Sequence, residues 1–472
     1  MKKLRLITAV AAALWLAGCA GTGPSGSTAA AVPAQWYAPV AHNGTLGDLA
    51  SWWQQFDDPL LVELIEAAQT ASPTVASAAA RIRQARATRV AAGAALLPSL
   101  DAVGSAARGN SQPPVPLATT VQVGLQSAWE IDLFGANRQA AQAAQDRLDG
   151  AQAGWHEARV SVAAETANSY VSLRTCERQL VVADNDVKSR VETARLSELS
   201  AQAGFTAPAV AALARASAAE GSARATQQRA ACDALVKALV ALSALPEPQL
   251  RQKLAVAWAE PSQATLLTVH SVPAQVLAQR PDVFQAEREV AAASADVGSA
   301  RAQRFPRLSL SGSIAAGSVR TGGVSTDLQT WSIGPLALTL PIFDGGRRAA
   351  NADAAQARYE EAAALYAARV RQAVREVEEA LVNLESARLR GEDARVAAEG
   401  YRISFSATEA RYRSGLASLV ELEDARRTAL AAETALVGLQ RERVAAWIAL
   451  YRALGGGWAR PDATAATTAF RP

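Results

Sequence analysis

The stretch Val121-Gln122-Val123-Gly124-Leu125-Gln126-Ser127-Ala128-Trp129-Glu130-Ile131-Asp132 has mainly apolar residues at odd positions and polar or small ones at even positions. A period of two sends the two sets to opposite faces of a β-strand. From Gly135 to Ala203 the chain then runs without proline and with few glycines, and Ala, Leu and Val recur every three or four residues. That is helical patterning over about 70 residues, roughly 100 Å if continuous. No ordinary globular core needs a helix of that length.

The same succession returns later in the chain. Pro98 is echoed by Pro306, Phe134 by Phe343 and Gly204 by Gly415, at offsets of 208, 209 and 211 residues. A drift of so few residues fits loop-length changes within a duplicated unit. Each unit has two strand candidates, at about 99–108 and 119–132, then at about 307–316 and 330–340. The phase of the last slips at Gly334 and Pro335, which predicts a bulge. Gly109–Ala118 and Gly317–Gln329 read as surface loops, with Trp129 and Trp331 near opposite edges of an apolar band. Strands of about ten tilted residues cross an outer-membrane hydrocarbon layer. Four strands cannot close into a barrel, and edge amides left unpaired in lipid cost several kcal/mol each, so copies must associate.

Gly204 and Gly415 mark chain reversals, after which Ala209–Ala244 and Leu419–Leu454 run back as helices. Cys176 and Cys232 each lie 28 residues from Gly204, level on neighbouring helices. Spacing does not give the direction they face. A disulfide, which the chain-entropy model values at about 4 kcal/mol, and two buried free thiols both remain open.

At the N-terminus Lys2, Lys3 and Arg5 precede the apolar run Leu6–Leu16, too short to span a bilayer. Leu16-Ala17-Gly18-Cys19 follows, the pattern of a bacterial lipoprotein signal: residues 1–18 are removed and Cys19 carries lipid. By resemblance to bacterial lipoproteins, Ala20 in place of aspartate implies the outer membrane as the destination. Residues 19–35 read as a tether. A net charge of +3 is too small at 472 residues to indicate nucleic acid. The sequence has no zinc-ligand spacing and no P-loop, and His42, His156 and His270 stand far apart. Nothing here supports catalysis, a metal or another cofactor.

The most specific stretch is Leu277-Ala278-Gln279-Arg280-Pro281-Asp282-Val283, followed by Ala286-Glu287, Gly298-Ser299-Ala300-Arg301-Ala302 and Phe305-Pro306. With Pro341-Ile342-Phe343-Asp344-Gly345-Gly346 and Arg375-Glu376-Val377-Glu378-Glu379-Ala380-Leu381, it resembles the outer-membrane factors of tripartite efflux systems, the NodT-type lipoproteins related to TolC that serve RND-type pumps. The resemblance covers nearly the whole chain after Cys19. It implies a mainly α, TolC-like homotrimer: a twelve-stranded outer-membrane β-barrel, four strands per chain, continuous with a twelve-helix periplasmic α-barrel. Residues 36–245 would form the first repeat, 246–280 an equatorial connector, 281–455 the second repeat and 456–472 a tail. The implied partners are a periplasmic adaptor and an inner-membrane pump.

The resemblance also implies a gate at the second reversal, where Val420, Glu421 and Asp424 share a helix face by their spacing of three and four. Threefold repetition would make Val420 an apolar constriction and the two acids carboxylate rings. The first repeat offers Pro208, Ala209, Val210 and Ala211 there, without acids. Gly204, Phe205 and Thr206, with Gly415, Leu416, Ala417 and Ser418, are the candidates for docking the adaptor. The expected function is a passive exit duct for small molecules. A duct for type I polypeptide secretion and a structural periplasm-spanning lipoprotein are the alternatives.

Overall fold

The computed structural model describes residues 52–53, 56–110, 117–256, 277 and 280–458. The signal segment, Cys19, the tether, His42, His270 and most of the tail lie outside the described residues. In chain order the elements are α1 (Pro59–Ala71), α2 (Pro73–Ala94), β1 (Ser99–Gly109), β2 (Ala118–Ile131), α3 (Ala136–Gln202), α4 (Pro208–Ser243), α5 (Glu247–Leu254), α6 (Pro281–Ala302), β3 (Arg307–Thr321), β4 (Val324–Thr339), α7 (Arg347–Arg413) and α8 (Leu419–Ala453). α3 and α7 are unbroken at 67 residues each.

Two compact units emerge, and each pools segments from both repeats. The first comprises residues 79–153 and 284–369 among those described. Its four strands pair antiparallel in the order β1-β2-β3-β4, which leaves β1 and β4 as edges. Cross-strand register aligns Ala102, Leu125, Ile314 and Trp331 in one row, and Asp101, Gln126, Ser313 and Ser332 in the next. Adjacent rows project to opposite faces, so one face is apolar and the other polar. Ser313 and Ser332 hydrogen-bond on the polar side at 2.9 Å.

β3 and β4 are longer than expected. Gly317–Gln329 is not a loop: pairing continues to Thr321↔Val324, and only Gly322 and Gly323 turn, with φ of 59° and 90°. Positive φ at both central residues suits a two-residue hairpin whose twist matches its strands. Polar Ser325, Thr326 and Asp327 concealed the alternation. Trp331 therefore stands opposite Ile314, mid-strand and exposed, rather than at a band edge. Trp129 does lie near a strand end, where its indole donates to the Leu96 carbonyl at 3.0 Å. Gly334 and Pro335 face Ser311 alone, forming a bulge.

The strand-to-helix joints repeat as well. Asp132 accepts from the amides of Asn137 and Arg138 at the start of α3, and Asp344 from those of Gly346 and Arg348 at the start of α7. Both carboxylates satisfy orphan amides at a helix's positive end. α3 and α6, attached to the neighbouring strands β2 and β3, pack through Ala143, Ala292 and Ala295. Ion pairs Arg147–Asp296 at 2.6 Å and Arg288–Asp146 at 3.1 Å flank that contact.

The second unit comprises α1, the distal parts of the long helices, α4, α5 and α8. Trp52 stacks on Trp447 with centroids 4.5 Å apart. The buried Arg280 guanidinium is held by Asp282 at 2.8 Å, Glu376 at 2.8 Å and the Ala453 carbonyl at 2.9 Å. Burial alone would lower the pKa of Arg280, but its carboxylate partners outweigh that and raise it. Cys176 and Cys232 are joined by a disulfide, with Cα atoms 5.5 Å apart.

Candidate gate and docking tip

Two chain reversals carry the candidate tip residues, and each is built by a glycine. At the first, Gly204 has φ of 77°, its amide donates to the Ala201 carbonyl and the Phe205 amide to that of Ser200. At the second, Gly415 has φ of 73°, its amide donates to Tyr412 and that of Leu416 to Arg411. Both are Schellman closures, which need a left-handed residue after the helix. They leave Phe205 84% and Leu416 69% exposed.

The returning helices start differently. α4 opens at Pro208 without a side-chain cap, whereas α8 opens with a capping box. Ser418 Oγ accepts from the Glu421 amide at 3.2 Å, and the Glu421 carboxylate accepts from the Ser418 amide at 2.6 Å. These hydrogen bonds hold the Glu421 carboxyl below its ordinary pKa. Glu421 thus folds back onto its own helix end. Val420 is 68% exposed, and Asp424 pairs with exposed Arg427 one turn on. The exposed face of this turn carries Val420, Glu421, Asp424 and Arg427; Leu419, Leu422 and Arg426 point inward.

Inward, the hairpins are tied together. Leu419 and Leu422 pack on Ala214, with Val210, Ala194, Phe405 and Tyr412 around them. Arg190 of α3 bonds Asp186 at 2.8 Å and Glu423 of α8 at 2.6 Å, while Ser217 of α4 donates to Glu423 at 2.9 Å. Arg426 also pairs with Glu423 and donates to Thr193 at 2.9 Å and Ser189 at 3.1 Å. Burial lowers the pKa of Arg426, offset in part by Glu423. Ser197 and Tyr412 bond at 2.9 Å. Sequence reading overlooked this network, although Leu419, Leu422 and Arg426 at spacings of three and four already placed an arginine in the buried stripe.

The model of the family described as outer membrane efflux protein matches residues 64–245 and 272–456. The chain belongs to that family. It is 30% identical to the pyoverdine export outer membrane protein OpmQ of Pseudomonas aeruginosa over 474 residues, 97% of each chain. It is 31% identical to outer membrane protein OprJ of the same organism, over 96% of each. Among solved structures, the outer-membrane channel OprN superposes with a TM-score of 0.81 at 29% identity, covering 93% of this chain and all of that one. The fold is therefore TolC-like, and this member of the family is an outer-membrane efflux component extending into the periplasm.

Proposed function

We propose that three copies of this chain close a twelve-stranded barrel over a helical duct, a passive exit for small molecules delivered by a periplasmic adaptor and an inner-membrane RND-type pump. The observation that carries this reading is the open four-stranded sheet, apolar on one face and with both edges free, joined to two 67-residue helices. Such a sheet is stable in lipid only when its edges are paired by further copies. The duct itself performs no catalysis and needs no cofactor. Pyoverdine export, named for OpmQ, illustrates the class of cargo.

Val420 and Asp424 are the gate in this reading, repeated three times around the axis. Glu421 serves first as the cap that holds α8's opening turn, and Arg427 tempers the Asp424 ring. The exposed reversals around Phe205 and Leu416 receive the adaptor, and partners open the tip by binding its dilated state more tightly. Cys19 carries the lipid. Deleting the gene should raise intracellular accumulation of pump substrates, and restoring the wild-type chain should reverse this; unchanged accumulation would count against the reading. Mass spectrometry of the mature N-terminal peptide tests the lipid at Cys19.

A further inference from the structure

The apolar face of the sheet changes character toward the hairpin ends. All four strands meet their helices at one end, α2 before β1, α3 after β2, α6 before β3 and α7 after β4, so the turn at Gly322 and Gly323 lies at the other. In an outer-membrane protein that extends into the periplasm, this other end is the outer-leaflet side. Toward it, the row of Ala102, Leu125, Ile314 and Trp331 is followed on the same face by Gly104, Val123, Ala316 and Gln329. Ala106, Val121, Ser318 and Asp327 come next, and then Arg108, Thr119, Arg320 and Ser325.

Arg108 and Arg320 thus share a row with Thr119 between them, and a strand spacing of about 4.8 Å puts their Cα atoms roughly 10 Å apart. Both are exposed, and neither has an ion pair or side-chain hydrogen bond among the described residues. Asp327 lies diagonally from Arg320, one row nearer the apolar band, without pairing to it. Arginine is tolerated near a membrane interface and costly at the midplane, so this row marks the headgroup level. Directly beneath lies a trough of 640 Å³, lined on this face by Gly104 and Ala106 of β1, Val121 and Val123 of β2, and Ala316 and Ser318 of β3, with Asp327 at its β4 side. Small side chains on β1 and β3 leave this space beside the valines.

We propose that these residues form a docking site for a phosphorylated, acylated glycolipid of the outer leaflet. One of its phosphates sits between the Arg108 and Arg320 guanidiniums over the Thr119 hydroxyl, and an acyl chain lies in the trough below. Guanidinium forks match phosphate oxygens, and the hydroxyl adds a third donor. Two cations in one row repel until an anion neutralises both. Asp327 repels a phosphate from the β4 side and so confines the headgroup to the span from β1 to β3. A free phosphate would use the arginines and leave the trough open; an apolar space directly below, on the hydrocarbon side, selects an anion that carries a tail. Basic pockets at headgroup level recognise acidic lipids in this way. The site lies within one chain and takes from the three-copy reading only that the apolar face meets lipid.

The test is native mass spectrometry of the full chain in detergent, titrated with bisphosphorylated lipid A, with the same lipid after phosphatase treatment, and with inorganic phosphate. Wild type should hold the phosphorylated lipid about tenfold more tightly than the dephosphorylated one. Arg108→Gln with Arg320→Gln should abolish that preference, whereas Arg307→Gln, at the helix end of the sheet and on its other face, should keep it. Ala106→Leu with Ala316→Leu, which fills the trough, should weaken both lipids and leave the preference standing. Equal binding of the two lipids by wild type, or a preference that survives loss of both arginines, overturns the site. Inorganic phosphate that competes the lipid away, with no effect of the trough variant, reduces it to a free-anion site and overturns the lipid assignment. The same spectra count chains per particle. A monomer that keeps the phosphate preference contradicts the three-copy reading and supports the site, and a trimer without the preference does the reverse.

Discussion

Arg190 on the first helical hairpin and Glu423 on the second approach to 2.6 Å, and Arg426 shares the same carboxylate. One acid thus anchors two buried guanidiniums from different repeats, with Arg190 and Glu423 themselves 233 residues apart in sequence. Removing one partner of a buried charge cluster strands the others, typically at about 3–5 kcal/mol. Glu423→Gln should therefore lower unfolding stability by roughly 3 kcal/mol, measured by denaturant titration with an unchanged slope. Replacing Asp424, on the exposed face, should cost less than about 1 kcal/mol.

The Cys176–Cys232 disulfide closes a loop with a sequence separation of 56. The chain-entropy model gives about 4 kcal/mol for it. Cys176→Ser with Cys232→Ser should lose that much under non-reducing conditions, and reductant should bring the wild type down to the variant. Two free thiols in unreduced, denatured protein would contradict the bridge.

The carboxyl of Glu421 is held below its ordinary value of 4.5 by the hydrogen bonds of its capping box. A depressed folded pKa contributes stability that is full above the unfolded value and lost as pH falls through the lower folded one. The advantage of wild type over Glu421→Gln in tip stability should be present at neutral pH and disappear in acid below 4.5. Hydrogen exchange of the first turn of α8, compared between the two proteins, measures it.

Val420→Ala combined with Asp424→Ala removes the apolar and the charged ring while leaving the Ser418–Glu421 cap intact. The double variant should conduct more than wild type in planar bilayers, by several-fold. Equal single-channel conductance would remove these residues from the gate.

Much of this architecture was legible in the sequence because it rests on periodicity and repetition. The alternation from Val121 and the proline-free helices are local signals, and the matched glycines repeat them. The Gly317–Gln329 hairpin escaped because polar residues near a strand tip lose the apolar half of the pattern. Helical spacing places Val420, Glu421 and Asp424 together, while the Ser418-to-Glu421 box, also a local signal, emerges only in the structure, where Glu421 folds back onto the Ser418 amide. Arg190 and Glu423 were beyond reach, since a contact between repeats leaves no trace in either repeat alone. The facing direction of Cys176 and Cys232 was likewise closed to reading, because residue spacing gives level and not rotation.

Copies of this chain form one water-filled duct, and conduction through the assembled oligomer follows from that directly. Purified oligomer, its stoichiometry fixed by native mass spectrometry, should produce discrete single-channel steps when reconstituted into planar bilayers, one conducting pore per three chains. Stable insertion of the oligomer without conductance steps, in the wild type and in the Val420→Ala, Asp424→Ala variant alike, would contradict it and favour a structural lipoprotein.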